Sequence, residues 1–216
     1  MAIQINARNH NMLNLEQALP MENQWDLLVE YGYLLELGFH ALWAEGDDQE
    51  ELARLLRVDP SSRLECDLKT VFETYEGLPE KAIWMGPHAP GWTHIFVFGT
   101  YSFHPVIHNL GERRVFEMYF AGEVGEGLEP LYLNYDGERI GDVSPPFEEG
   151  GDMDLPDYRP YTAGLELGRR GLYWDVHLFF CMMGRITGRF TDREWWTATR
   201  TFYRISPTSS STTGWS

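Results

Sequence analysis

The sequence predicts an α+β domain with a mostly antiparallel sheet over about residues 81–143 and helices packed on one face of it. Three observations predict this class. Apolar residues recur with helical spacing on both sides of the middle of the chain, the middle itself changes to strand-like segments, and Asp136-Gly137 marks a tight hairpin between two of them. Because the helices flank a run of strands, they are expected to cover the sheet.

The N-terminal half predicts three helices and one strand. Residues 1–22 are interpreted as an arm, with a loose conformation or a short helix over 14–19. A helix is expected from Asn23, ended by Gly38, and a short strand over 39–44 follows. A second helix begins at Asp48, capped by Asp47 or Asp48, and a third follows Asp67.

The middle and the C-terminal part complete the domain, which spans residues 23–205. Strands are expected over residues 81–85, 93–98, 114–120, 131–135 and 138–143. Residues 145–160 predict an exposed loop, and an apolar helix then ends near Gly188. The pattern from Thr191 to Glu194 predicts a capping box before a short helix, and residues 201–205 an edge strand. Residues 206–216 are expected to be a flexible tail.

Composition limits the possible functions. The chain has 216 residues, with 33 acidic and 17 basic side chains and a net charge of −16. This charge disfavours nucleic acid and anionic membranes as partners, because phosphate contacts need clustered cations. The sequence shows no membrane-spanning run and no signal-peptide pattern, so a cytoplasmic location is expected. Cys66 and Cys181 are expected to be buried thiols, although a disulfide between them stays open.

Four segments, taken in order, resemble a known type of protein. They are Ala44 to Asp48, Gly91 to Phe98, Tyr135 to Gly137, and Gly184 to Thr191. Together they resemble an uncharacterised family of small acidic bacterial α+β domains over roughly residues 38–205. The resemblance implies an α+β fold and a cytoplasmic bacterial protein, and it implies no activity and no functional residue.

Histidines are the first candidates for chemistry. His88, His94, His104 and His108 lie within 21 residues, but they lack the spacing of a metal-binding motif and no Cys-x-x-Cys accompanies them. No bound metal and no cofactor are therefore expected. Cys181 lies in an apolar run that would raise its pKa and lower its reactivity, so it is interpreted as a packing residue.

The carboxylates are distributed unevenly along the chain. Residues 121–157 contain 11 acids and one base, whereas residues 158–204 contain eight arginines and four acids. One interpretation is an acidic loop neutralised by arginines of the same fold. The other is a docking surface for a basic partner, since a field of one sign steers association.

Two functions follow from these patterns. The first is a non-catalytic binding protein, such as an immunity or antitoxin-like inhibitor, that docks a basic protein. Its expected contacts are Glu148, Glu149, Asp152, Asp154, Asp157 and an exposed Trp92. The alternative is a cofactor-independent small-molecule enzyme or ligand-binding domain with a pocket walled by Trp84, Trp92, Tyr101 and Trp174. Its acid/base candidates are His94, His104, His177 and Glu117.

Overall fold

The computed structural model describes residues 16–75, 79–99, 105–122, 127–145 and 153–205. The strands in this part of the chain are β1 (Phe39–Glu45), β2 (Leu64–Cys66), β3 (Lys81–Ala89), β4 (Trp92–Gly99), β5 (Arg114–Phe120), β6 (Tyr132–Tyr135), β7 (Glu138–Asp142) and β8 (Arg200–Arg204). The helices are α1 (Gln24–Tyr31), α2 (Gln49–Leu55), α3 (Leu68–Thr74), α4 (Leu172–Thr187) and α5 (Arg193–Thr197).

The eight strands form one sheet in the order β2-β8-β3-β4-β1-β5-β6-β7. All seven neighbouring pairs are antiparallel, which confirms the predicted class. Two strands lie differently from expectation. β8 is an interior strand between β2 and β3 rather than an edge strand, and β2 was not expected at all.

Each face of the sheet has its own apolar core. The first face carries Trp43, Trp84 and Phe96 and is covered by α1, α3, α4 and α5. The second face carries Leu42, Ile83 and Ile95 and is covered by α2 and by the 3-10 helix Pro105–His108. Among the described helices, α2 therefore departs from the single covered face that the sequence predicts. The cause is that β1, β3 and β4 are buried and largely apolar on both faces, so both faces need a cover.

Local signals explain where the helices begin and end. The side chains of Asn23, Asp48 and Asp67 each accept a hydrogen bond from a backbone N–H of the first helical turn. At α5 the capping residue is Asp192, not the expected Thr191, because the Thr191 hydroxyl donates to Gln24 instead. The helix expected from Asn23 to Gly38 stops at Gly32, and the 3-10 helix Tyr33–Leu37 follows.

The turns behave as their residue types predict. Asp136 and Gly137 both have positive φ, 50° and 81°, as a type I′ turn between β6 and β7 requires. Within the loop expected over 145–160, a 3-10 helix (Pro156–Thr162) begins. Residues 16–19, the described part of the possible helix over 14–19, are not helical. The rest of that segment and the tail expected over 206–216 lie outside the described residues.

Candidate functional site

The acid/base candidates do not meet in one place. His94 projects from β4 on the first face, among aromatic rings. Glu117 projects from β5 on the second face, beside His40 and His108. His177 lies on α4, and His104 lies outside the described residues. Because the sheet separates Glu117 from His94, these two side chains cannot act on one substrate.

Glu117 is the centre of a buried polar cluster on the second face. Its Oε1 lies 3.1 Å from Nε2 of His40, and its Oε2 lies 3.3 Å from Nδ1 of His108 and 3.1 Å from Nδ2 of Asn134. Nη2 of Arg139 approaches Oε2 to 3.4 Å. Glu117 is 6% exposed, so protein groups replace most of its hydration. We call these five side chains the Glu117 cluster.

The electrostatics of this cluster keep Glu117 ionised. Burial alone would raise the pKa of Glu117, but the hydrogen bonds from His108 and His40 outweigh burial and hold the pKa below its ordinary value. An ionised carboxylate only accepts hydrogen bonds, so Nε2–H of His40 donates to Oε1 of Glu117. The other ring nitrogen of His40, Nδ1, is buried and has no hydrogen-bond partner.

The sequence points to two of these five residues, Glu117 as an acid/base candidate and His108 as one of the clustered histidines. The available signal was a polar residue inside an otherwise apolar strand, which applies to His40 in β1 and to Glu117 in β5. Such a residue must find a partner when it is buried. Which partners it finds depends on strand order, because β1 pairs with β5 across 77 positions of sequence between His40 and Glu117.

His94 is a core residue. Its ring centroid lies 4.5 Å from Phe96, 4.7 Å from Trp43 and 4.8 Å from Trp195. The side chain is fully buried, and burial lowers the pKa of His94 well below its ordinary value. His94 is therefore a neutral ring in an aromatic box, which does not suit proton transfer to a dissolved substrate.

His88 and Arg200 complete this aromatic box. Nδ1 of His88 accepts a hydrogen bond from the Trp195 indole at 2.9 Å, and Nε2 lies 2.9 Å from the Thr187 hydroxyl. The Arg200 guanidinium lies between two indoles, 4.9 Å from the Trp84 centroid and 4.1 Å from that of Trp195. Burial lowers the pKa of Arg200 to about 9. The two ring faces stabilise this cation where water does not reach it.

His177 and Cys181 are neighbours on α4 but do not form a reactive pair. Nδ1 of His177 accepts a hydrogen bond from the backbone N–H of Gln24 at 3.1 Å, and burial lowers the pKa of His177 to about 4. Burial also raises the pKa of Cys181 to about 12. The thiol stays protonated and fully buried, so it cannot serve as a nucleophile.

The tryptophans of the expected ligand pocket have separate surroundings. Trp84 is buried against Phe96 and Arg200, and Trp174 packs on His177 and lies under Arg170. Trp92 contacts Phe116 and lies under Arg114. Tyr101 is outside the described residues.

The expectation that Trp92 is exposed is wrong, since it is 7% exposed. Its ring is turned into the first-face core because it follows the two-residue alternation of β4. Trp195 and Trp196 are also buried. A contact between any of these rings and a partner would require local rearrangement.

The acidic stretch is partly described. Glu148, Glu149 and Asp152 lie outside the described residues, whereas Asp154 and Asp157 are exposed. Oδ2 of Asp154 accepts a hydrogen bond from the backbone N–H of Asp142 at 3.3 Å, which places it beside the edge strand β7. We define the acidic edge as Asp136, Glu138, Asp142, Asp154 and Asp157.

Three arginines that could neutralise the acidic edge, Arg139, Arg169 and Arg185, have other partners. Residues 127–145 and 153–157 contain six acids and one base, Arg139. The guanidinium of Arg139 lies 3.7 Å from the Tyr132 centroid and turns toward Glu117. Within the described part of the chain, Arg169 pairs with Glu166, and Arg185 donates to the carbonyls of Ala18, Tyr161 and Ala163.

The described residues also bear on metal binding and on membrane insertion. The described residues contain no group of three or more His, Cys, Asp or Glu side chains placed to hold a metal ion. Among the described helices, none has the length and apolar character needed to cross a membrane.

Comparison of the chain with protein-family models, with curated proteins and with solved structures found no match.

Proposed function

We propose that this chain is a non-catalytic binding protein that docks a basic protein partner through the acidic edge. The observation that carries the proposal is the charge of this edge. Asp136, Glu138, Asp154 and Asp157 are exposed. Arg139, the arginine of β7, is already engaged by Tyr132 and Glu117.

The physical advantage of such an edge is selection by charge. The negatively charged carboxylates of the acidic edge attract a basic surface over several ångströms and repel an acidic one. β7 is also the last strand in the order of the sheet, so it pairs with β6 on one side only. An inhibitor of a basic protein, such as an immunity or antitoxin-like protein, would use both the negative charge of this edge and its position at the end of the sheet.

The rest of the structure supports binding rather than catalysis. Among the described acid/base candidates, Glu117 is separated by the sheet from His94 and His177, and these two histidines are neutral and buried. Cys66 and Cys181 are free thiols in the structure, which supports our proposal of a reducing, cytoplasmic location. We further propose a bacterial origin, on the resemblance described above, and a partner that is neither nucleic acid nor membrane, on the net charge.

The proposal is tested with two triple variants that change the charge equally. The edge variant is Glu138→Gln, Asp154→Asn and Asp157→Asn. The control variant is Glu30→Gln, Glu73→Gln and Glu194→Gln, which are exposed residues of three helices. Each protein is immobilised and exposed to a lysate of the source cells, and retained proteins are quantified by mass spectrometry. A retained partner is then purified for rate measurements.

We expect wild type and control variant to retain the same basic protein and the edge variant to lose it. Association with the edge variant should be about ten-fold slower at low salt, and the difference should shrink at ~1 M salt, where the Debye length is about 3 Å. The free energy of unfolding should hardly change in either variant, because exposed charges contribute ~0 to 1 kcal/mol each. Equal loss of binding in both variants, or no basic protein retained by the wild type, would reject the proposal.

A five-residue variant extends the test to the whole acidic stretch. It changes Glu148, Glu149, Asp152, Asp154 and Asp157 to Gln or Asn. If this variant keeps its thermal stability and associates more slowly with the basic partner, the result supports a docking role for the acidic stretch. If this variant unfolds and the wild type binds no basic protein, the stretch is an internal counter-charge.

A further inference from the structure

The exposed apolar side chains of the described residues are concentrated in one segment. Nine large ones are exposed, and six of these lie within residues 19–37, which include α1 and the 3-10 helix Tyr33–Leu37. The six are Leu19, Met21, Val29, Tyr33, Leu34 and Leu37. A single exposed apolar residue is ordinary, but a concentration of them is typical of an interaction site.

One flank of α1 carries apolar side chains that face away from the core. Trp25 and Val29 are one helical turn apart, so they share this flank, whereas Gln24, Leu27 and Leu28 are the buried residues of the helix. The Trp25 ring stacks on Tyr173 of α4 with 4.3 Å between the ring centroids. Val29 and Tyr173 are both exposed, so the flank continues onto the neighbouring helix.

The 3-10 helix Tyr33–Leu37 extends this surface. Leu34 and Leu37 are three positions apart, and such residues lie above one another in a 3-10 helix. Leu37, which is 64% exposed, lines a pocket of about 270 Å³ together with Phe120. The Phe120 ring also lies 5.7 Å from that of Trp25, so Phe120 joins the two parts. We define the α1 flank as Trp25, Val29, Leu34, Leu37 and Tyr173.

The charge of this segment restricts what can dock on it. Residues 19–37 contain four acids and no base. Asp26 is exposed and follows Trp25 directly, whereas the Glu30 side chain is hydrogen-bonded to Tyr31. Asp26 is therefore the carboxylate beside the α1 flank.

Of the possible occupants, a basic segment of another protein fits best. Arg193 pairs with Glu22 at 3.0 Å, and Arg170 lies over the Trp174 ring, so both arginines have contacts of their own. A second copy of this chain, with a net charge of −16, and an anionic membrane are repelled, whereas a basic segment is attracted.

The form of the surface favours a helix as the docking segment. A helix pairs its backbone groups internally, so α1 offers side chains rather than the free backbone of a strand edge. Side chains spaced like Trp25 and Val29 form a ridge that packs into the groove of another helix.

We propose that the α1 flank binds a basic amphipathic helix of a protein partner, whose apolar side packs on Trp25, Val29 and Leu37 and whose cationic side chains lie near Asp26. The proposal goes beyond the docking function described above, because it uses no residue of the acidic edge. Its test uses peptides rather than that partner, so the two proposals can fail independently.

The first experiment titrates the wild-type protein with three peptides of about 14 residues, roughly four helical turns. The basic peptide consists of leucines and lysines in an order that places all leucines on one side of a helix. The acidic peptide has glutamate in place of each lysine, and the mixed peptide has the composition of the basic one with leucines on all sides. Binding is followed by the NMR methyl signals of Val29, Leu34 and Leu37. The signals of Leu64 and Ile140, which are exposed elsewhere, are the internal control.

We expect the basic peptide to shift the signals of the α1 flank and to leave those of Leu64 and Ile140 unchanged. The acidic and mixed peptides should bind about ten-fold or more weakly, because one lacks the attractive charge and the other the apolar side. Equal binding of the acidic peptide would overturn the basic character of the partner, and equal binding of the mixed peptide its helical form. Shifts as large at Ile140 as at Val29, or no binding of the basic peptide, would overturn the site.

The second experiment measures the affinity of the basic peptide for three variants. The flank variant is Val29→Ser with Leu37→Ser, and the comparison variant is Leu64→Ser with Ile140→Ser, which removes two exposed apolar side chains elsewhere. The third is the edge variant described above. The flank variant should bind about ten-fold more weakly than the wild type, and the other two within about two-fold of it.

Two results of this comparison would overturn the proposal. One is an unchanged affinity of the flank variant, and the other is a loss of affinity confined to the edge variant, which would place the peptide on the acidic edge. Near-UV circular dichroism checks that each variant is folded. If the flank variant does not fold, the shifts that the three peptides cause in the wild type decide alone.

Discussion

The side-chain amide of Gln24 is hydrogen-bonded to both backbone groups of Thr191, although 167 positions separate the two residues. Nε2 of Gln24 donates to the Thr191 carbonyl at 3.0 Å, and Oε1 accepts from the Thr191 N–H at 3.1 Å. The Thr191 hydroxyl also donates to Oε1. Gln24 is fully buried, so it joins the start of α1 to the approach of α5 without water.

Removing this amide is expected to be costly. Gln24→Ala leaves the N–H and C=O of Thr191 buried without partners, and each such group costs about 1–3 kcal/mol. The midpoint of urea unfolding should therefore fall clearly below that of the wild type. Gln17→Ala, at an exposed position, is the matched control and should change the midpoint little. Equal midpoints for the two variants would contradict the role of Gln24.

We expect Glu117→Gln to lower the free energy of unfolding more than Glu45→Gln, which neutralises a half-exposed carboxylate paired with Arg114. Glu117→Gln places an amide among four groups that lie at donor distance from the carboxylate. Breaking a buried pair in this way costs about 3–5 kcal/mol. Glu45→Gln breaks a half-exposed pair with Arg114, where the cost is about 0–1 kcal/mol. Denaturant unfolding of both variants measures the difference, and similar losses would be inconsistent with a buried, ionised Glu117.

Stability is expected to fall as the pH is lowered. Burial, together with Arg200 and Arg189, lowers the pKa of His88 to about 3, whereas an unfolded histidine has a pKa of about 6.5. Between these values the unfolded chain binds a proton that the folded chain excludes, so stability decreases from about pH 6.5 downward. His177, whose pKa is lowered to about 4 by burial, adds to the same trend.

The variant His88→Gln tests this assignment. Its side chain keeps polar atoms near Trp195 and Thr187 but does not titrate. Urea unfolding at about pH 7 and about pH 5 should show a smaller loss of stability for the variant than for the wild type. If both proteins lose the same stability over this interval, His88 does not carry the pH dependence.

The two thiols are expected to be unreactive in the folded protein. Burial raises the pKa of Cys66 to about 11 and that of Cys181 to about 12, so little thiolate exists near pH 8. Iodoacetamide should alkylate both cysteines much more slowly in the folded protein than in the urea-unfolded chain. The extent of alkylation is measured by mass spectrometry. Cys66, which is 6% exposed, should be labelled before Cys181. Fast labelling of Cys181 under native conditions would show that α4 opens.

Local sequence patterns predicted most of the elements but not their arrangement. β5 has the predicted bounds, and the turn at Asp136-Gly137 has the predicted backbone, because alternation and turn chemistry depend on adjacent residues. The interior position of β8 was not predictable. Its neighbours β2 and β3 lie more than a hundred positions earlier, and the pattern of a five-residue strand does not show which strands will flank it.

The candidate site illustrates the same limit. Glu117 was recognisable as a polar residue in an apolar strand, but His40, His108, Asn134 and Arg139 come from four other segments. They meet because β1 lies between β4 and β5 and because Pro105–His108 folds over the second face. Trp92 was wrongly expected at the surface for a different reason. It follows Pro90-Gly91, which favours a turn, but β4 begins at Trp92 itself.

The place of β8 in the sheet has a consequence for the growing polypeptide. The ribosome adds residues at roughly 5–20 per second, and N-terminal parts of a chain can fold before the rest is made. Here β3 keeps one open edge, and β2 has no partner, until residues 200–204 emerge and insert between them. The nascent chain therefore carries unpaired strand edges from the synthesis of β2 and β3 until that of β8, and such edges are sites of aggregation that chaperones shield.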